Sequence, residues 1–135
     1  MAATFQLDVL AASVPFFRGR CVSVVIPTVD GEYGVLAGHS NTVGAVCDGE
    51  LRFETEDGVA HRAAVAQGVF KIDEERVLLL LDAAERPEDI DVNRALRARQ
   101  EAEEQLRQKH SMAEYQIAQG NLSRALNRLR VSGKM

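Results

Sequence analysis

Pro87-Glu88-Asp89-Ile90-Asp91-Val92-Asn93-Arg94-Ala95 is the stretch on which the reading of this chain turns. Before it, short apolar runs alternate with polar residues and turn pairs; after it, Ala, Arg and Glu follow a helical period. Two physically different modules meet there, residues 1–86 in front and 87–135 behind. Proline suits a helix's first turn but not its interior. Asp89 and Asp91 suit the capping of exposed amide donors and the positive end of the helix dipole. Asp91 and Arg94 stand three residues apart, neighbours on one helix face, and form the best site candidate in the chain.

In front of this stretch Phe5, Leu7 and Val9 alternate with polar neighbours, and similar runs recur at residues 22–26, 51–53, 59–65, 69–72 and 77–81. Period two with short spacing predicts strands. Asp30-Gly31, Asp48-Gly49 and Asp57-Gly58 supply glycines able to take the positive φ of tight hairpin turns. The expectation is an antiparallel sandwich or flattened barrel. No strand-then-helix alternation is present, which argues against a nucleotide-binding βαβ unit. The segment Gly31-Glu32-Tyr33-Gly34-Val35-Leu36-Ala37-Gly38-His39 interrupts this text with three glycines. It reads as a loop that either turns tightly or is approached closely by another backbone. Glu32 and His39 have no local structural reason to be there, and both a contact role and a structural one stay open for them.

Behind Pro87 a first helix is predicted to run to about His110. Arg97 with Glu101, Arg99 with Glu103, and Glu103 with Arg107 stand four apart and brace its solvated face. Val92, Ala95, Ala102 and Leu106 give it only a narrow apolar stripe. Ser111-Met112-Ala113-Glu114 is a capping box that starts a second helix. Tyr115, Ala118, Leu122, Ala125, Leu126 and Leu129 recur along that helix as a seam, interrupted by Gly120 and Asn121. A short connection makes the pair an antiparallel hairpin, and small alanines bury so little area that its docking is marginal. Arg124, Arg128 and Arg130 lie near the hairpin's end, which returns beside Asp91 and Arg94. Guanidinium forks converging on a helix start can hold a polyphosphate, a nucleotide being the natural candidate. The plainer alternative is that Asp91 caps its helix and pairs with Arg124 or Arg128.

Composition narrows the function classes. A chain of 135 residues, 46% hydrophobic, 27% charged and without Trp, reads as soluble and globular, and two independent enzymes do not fit in it. The net charge of −4 conceals −8 over residues 1–90 and +4 over residues 91–135, so only the back module attracts polyanions. Cys21 and Cys47 are isolated and no secretory leader is expected, which points to a reducing compartment. The longest aliphatic run, residues 77–81, is far short of the roughly 20 residues a bilayer span needs. Cys47 with His39, or Cys21 with His61, can be imagined as nucleophile and base in a small hydrolase. Nothing resembles a nucleophile elbow, a phosphate-cradling glycine loop or a set of metal ligands, so no catalytic or metal residues are assigned. His61 in a strand and His110 at a helix end are ordinary placements.

The chain resembles the epsilon-subunit family of F-type ATP synthases over essentially its whole length. Phe5-Gln6-Leu7-Asp8-Val9 resembles the family's opening strand, Asp30 to His39 its glycine-rich loop, and Ile90-Asp91-Val92-Asn93-Arg94-Ala95 its I/L-D-x-x-R-A nucleotide motif. The resemblance implies an all-β sandwich of about ten strands followed by an antiparallel helical hairpin, the first binding gamma and the c-ring, the second mobile and regulatory. It implies a non-catalytic central-stalk subunit that couples the catalytic head to the ion-translocating c-ring and restrains ATP hydrolysis. Glu32 then touches the polar loop of the c-ring and His39 lies against gamma. Arg124, Arg128 and Arg130 meet the alpha and beta subunits when the hairpin extends. Glu85, Ile90, Asp91, Arg94, Ala95, Arg124 and Arg128 are the matching ATP positions; no cofactor is required, and ATP acts as a regulatory ligand. The implied location is the cytoplasmic face of the bacterial plasma membrane, peripheral through the complex. Ala37 and Gln67 depart from the family's Pro and Gly, and Glu101 stands where relatives often carry a basic residue. A competing reading from another class is a basic-hairpin module for nucleic acid or an anionic surface, although interleaved Glu residues dilute its charge.

Overall fold

The computed structural model describes residues 3–108 and 111–133. The chain divides between Glu85 and Arg86 into two compact units.

Among the described residues the front unit holds nine strands: β1 (Phe5–Ala11), β2 (Val14–Thr28), β3 (Gly31–Leu36), β4 (Thr42–Val46), β5 (Gly49–Thr55), β6 (Ala60–Val65), β7 (Gly68–Asp73), β8 (Arg76–Leu81) and β9 (Ala84–Glu85). Their order is β4-β7-β8-β1-β2-β5-β6-β9, with β3 added on β2. Alternation explains the layering. Val77, Leu79 and Leu81 of β8 are buried while Arg76 and Leu80 are exposed, and Leu51 and Phe53 of β5 are buried between half-exposed Glu50, Arg52 and Glu54. Inward residues from β1 to β8 form one apolar cluster, the filling of a sandwich.

β2 is the reason that about ten expected strands resolve into nine. Its first half pairs with β1 and its second half with β3 and β5, so one 15-residue strand serves both layers. The register shifts between Cys21 and Ser23, the kind of bulge that lets a strand bend from one layer to the other. The expected antiparallel arrangement has one exception, the parallel pair β1 and β8, which hairpin signals cannot reveal because its strands are distant in sequence. Gly31 and Gly58 take the positive φ expected of their turns, whereas Gly49 lies inside β5 under Pro27. The glycine-rich segment read as a loop is mostly a strand: residues 31–36 form β3, and only the turn after it is irregular. Pairing with β2 outweighs the weak strand propensity of Gly31 and Gly34.

The back unit opens with a 3-10 turn, Pro87–Asp89, followed by α1 (Val92–Arg107) and α2 (Met112–Ser132), which pack as an antiparallel hairpin. α1 ends earlier than expected; its predicted end at His110 lies outside the described residues. Ser111 caps α2 as foreseen: its Oγ accepts from the Glu114 amide at 3.3 Å and lies 3.1 Å from the Glu114 carboxylate. Gly120 and Asn121 do not interrupt α2, which runs through both; Asn121 instead accepts a hydrogen bond from Arg124 at 2.6 Å. The buried residues of α1 are Ala95 and Ala102, and Ala118, Ala125 and Leu129 form the matching stripe on α2. Tyr115 is exposed, and Leu122 and Leu126 are only half-buried, because alanine faces draw the helix axes together and leave larger neighbours at the flanks.

Candidate functional site

Glu32 and His39 in the front unit, and the Asp91 motif and the α2 arginines in the back, each have definite surroundings.

In the front unit Glu32 lies on the exposed face of β3, two strands from Arg52 of β5. Its Oε2 is 2.5 Å from Arg52 Nη1, the same nitrogen lies 3.5 Å from Glu50 Oε1, and Glu50 Oε2 meets Arg62 Nη2 at 2.7 Å. Four alternating charges thus run across the sheet surface. The hydrogen bond from Arg52 to Glu32, reinforced by Glu50, pushes the Arg52 pKa still higher, so its charge is permanent. Period two places Glu50 and Arg52 on one face of β5, a legible signal. The link to Glu32 is not legible, because it depends on β3 and β5 flanking β2.

His39 follows the turn that closes β3. Its Nδ1 lies 2.8 Å from the Ser40 carbonyl, which can only accept; Nδ1 therefore carries the proton and Nε2 accepts from the Tyr33 hydroxyl at 3.1 Å. Tyr33 meets the His39 ring edge-on at 5.4 Å and lies 5.5 Å from Phe70. His39 is thereby anchored to the core through one aromatic residue that the sequence reading had not singled out.

The surroundings of Cys21 and His61 do not suit a nucleophile and base. Cys21 is fully buried, and burial pushes its thiol up to about 11. His61 stacks on Phe53 with centroids 5.0 Å apart, so its ring serves packing. Among the described residues no group of acids, histidines and cysteines is arranged to hold a metal.

In the back unit the Asp91 carboxylate accepts from the Arg94 amide at 3.0 Å, the N-cap of α1. Ile90 is buried just before it, and Ala95 is buried one turn after it. The motif therefore has a complete structural role of its own. α2 packs against the 3-10 turn at Pro87–Asp89, so it returns to the start of α1 as expected.

The arginines gather elsewhere. Arg124 and Arg128 line a hollow of about 170 Å³ together with Ala98, Glu101, Ala102, Gln105, Asn121 and Ala125. Asp91 and Arg94 do not line it. Helical side chains lean toward their own N-terminus, which tips the α2 arginines toward the middle of α1. Arg130 faces a separate, wider groove with Leu106, Gln119 and Leu126, where its guanidinium donates to Asn127 Oδ1 at 3.1 Å. Glu85 closes β9 in the front unit, paired with Ala64. Of the expected ion pairs on α1, Arg99–Glu103 forms at 3.4 Å, while Arg107 takes Glu104 at 2.9 Å in place of Glu103. Arg97 and Glu101 form no pair among the described residues.

Comparison with known proteins gives these groups a context. Residues 4–87 match the family described as the beta-sandwich domain of the ATP synthase delta/epsilon chain, and residues 88–133 match its long alpha-helix domain. The ATP synthase epsilon chain of Ruminiclostridium cellulolyticum is 44% identical over 132 residues, 98% of each chain. That of Caldicellulosiruptor saccharolyticus is 40% identical, covering 96% of this chain and 93% of the relative. The fold also matches a chain in a structure of the Euglena gracilis mitochondrial ATP synthase, with a TM-score of 0.77 at 22% identity, covering 99% of this chain and 80% of that one. A chain in the central stalk/c-ring structure of the Tetrahymena thermophila mitochondrial ATP synthase matches with a TM-score of 0.69 at 9% identity, covering 97% and 98%. No helix among the described residues is long and apolar enough to cross a membrane. With both units matched in order and the full length shared with epsilon chains, the protein belongs to the ATP synthase delta/epsilon chain family, as a non-catalytic subunit.

Proposed function

We propose that this chain is the foot of the central stalk, binding gamma and the c-ring through the sandwich and restraining ATP hydrolysis through the hairpin. The observation that carries the reading is the contrast between the units. One is a sandwich with a continuous apolar core; the other is a helix pair whose first helix buries only two alanines. Torque needs a stiff part, and regulation needs a part whose packing is cheap to undo. Glu32 meets the polar loop of the c-ring, and His39 lies against gamma. The extended hairpin presents Arg124, Arg128 and Arg130 to alpha and beta. The chain works at the cytoplasmic face of the bacterial plasma membrane, held there by its partners.

ATP is the regulatory ligand that fits the hairpin in part. Two guanidinium groups on one wall suit phosphate oxygens, and a ligand that prefers the folded hairpin shifts the balance toward the non-inhibiting state. The hollow is smaller than the ~300 Å³ lower range of whole-ligand pockets, and Glu101 places a carboxylate on its rim. Binding is therefore weak, and phosphates are the part of the ligand that the hollow accommodates.

The competing reading, a nucleic-acid module, is disfavoured because acidic side chains of the hairpin neutralise cations beside them: Arg99 pairs with Glu103 and Arg107 with Glu104. The test of the main reading is reconstitution. ATP synthase lacking this subunit is expected to hydrolyse ATP without pumping ions, and adding the full chain should restore pumping. Pumping at the same level without it would overturn the proposal.

A further inference from the structure

We infer that Arg52 is a positioning residue for Glu32, holding that carboxylate across β2 so that its second oxygen faces a hydrogen-bond-donating loop of the partner. The inference rests on the proposed role of Glu32 as the contact to the c-ring.

Glu32 stands opposite Pro27 on one edge of β2, and Arg52 stands opposite Val25 on the other. With strands about 4.8 Å apart, the two side chains must span a whole strand to meet, which only long residues on the same outward face can do. They do meet, at 2.5 Å through Glu32 Oε2, and both stay accessible, with 59% of the Glu32 side chain and 43% of that of Arg52 exposed. Folding does not require such a bridge, because exposed ion pairs contribute little to stability. Its effect is on direction. A free glutamate samples many rotamers, and fixing it beforehand removes an ordering cost from docking.

The rest of the network keeps Arg52 in place. Arg62 is directly across from Arg52 in the β5–β6 register, a like-charge pairing that would push the two apart. Glu50 lies between them, with Oε1 toward Arg52 at 3.5 Å, and Oε2 taking Nη2 and Nε of Arg62 at 2.7 and 3.1 Å. Arg52 thus bridges two carboxylates through a single nitrogen, Nη1. One oxygen of Glu32 is engaged and the other is available to accept from a backbone amide or a polar side chain of the arriving loop.

The test is docking of the labelled full chain to a purified gamma–c-ring rotor, with gamma alone as a second arm, for the wild type, Glu32→Gln, Arg52→Gln and the double variant. Glu32→Gln is expected to weaken rotor docking roughly tenfold, in line with the loss of a charged hydrogen bond. Arg52→Gln should reproduce most of that loss, the double variant should be no worse than Glu32→Gln, and binding to gamma alone should not change. Wild-type docking by Arg52→Gln beside a weakened Glu32→Gln overturns the inference while leaving the c-ring role of Glu32 standing. Losses that multiply in the double variant, or an equal loss on gamma alone, also overturn it. Unchanged docking by Glu32→Gln removes the role of Glu32 itself, and the inference with it.

Discussion

Ala12 and Ser13 link β1 to β2 as a two-residue loop with φ of 50° and 66°, a left-handed pair without a glycine. Such a loop suits Asn-Gly, and each ordinary residue there costs roughly 1 kcal/mol. Ala12→Asn combined with Ser13→Gly should therefore stabilise the chain by about 1–2 kcal/mol, read from the urea midpoint at constant slope. Cys21 offers a pH prediction. Its folded thiol titrates near 11 against 9.0 for an ordinary one, so above pH 9 the unfolded chain loses the proton first. Stability is fully present below that pH and declines between pH 9 and 11, a decline that Cys21→Ala should abolish in urea melts across that range. Residue-scale features were legible where local spacing sets them: Asp91 and Ser111 cap as their motifs say. Arg52 was not, since its partner on β3 is fixed by a register that no local pattern encodes.

At the scale of elements, the cap at the start of α1 can be separated by substitution from the ATP role proposed for the same motif. Asparagine caps a helix as well as aspartate does, whereas alanine loses the bond to the Arg94 amide. Asp91→Ala should cost about 1 kcal/mol and Asp91→Asn almost nothing, by thermal melts of the full chain. If the motif also serves ATP, both variants should bind it more weakly in calorimetric titration. Equal affinity for the wild type and Asp91→Asn would leave the carboxylate's charge with no part in binding. Glu101 belongs to the same experiment: Glu101→Gln removes the carboxylate from the rim shared with Arg124 and Arg128 and should tighten ATP binding several-fold. The hairpin was legible from its capping box and helical period. Its seam was only partly so, because periodicity marks a face but not how closely two alanine faces approach, and that distance decides whether Leu122 and Leu126 lie inside or beside the contact.

Over the whole molecule, the sequence pattern revealed two modules and the alternation of the strands. It left out the passage of β2 through both layers, the parallel pair of β1 with β8, and the conversion of residues 31–36 into a strand. The first two depend on partners distant along the chain, β5 for β2 and β8 for β1, whereas β3 pairs with its immediate neighbour β2 and its glycines mask the strand pattern. The functional account depends on the same division. In the function proposed above, the sandwich with its single continuous core transmits force, and the hairpin with its thin alanine seam is released to act on other subunits. The most direct measurement is ATP hydrolysis by the assembled synthase in de-energised membranes, with the full chain or with a chain ending at Arg86. The account predicts severalfold faster hydrolysis with the shortened chain and a smaller difference once a gradient is imposed. Equal rates in both membranes, energised and not, would contradict it.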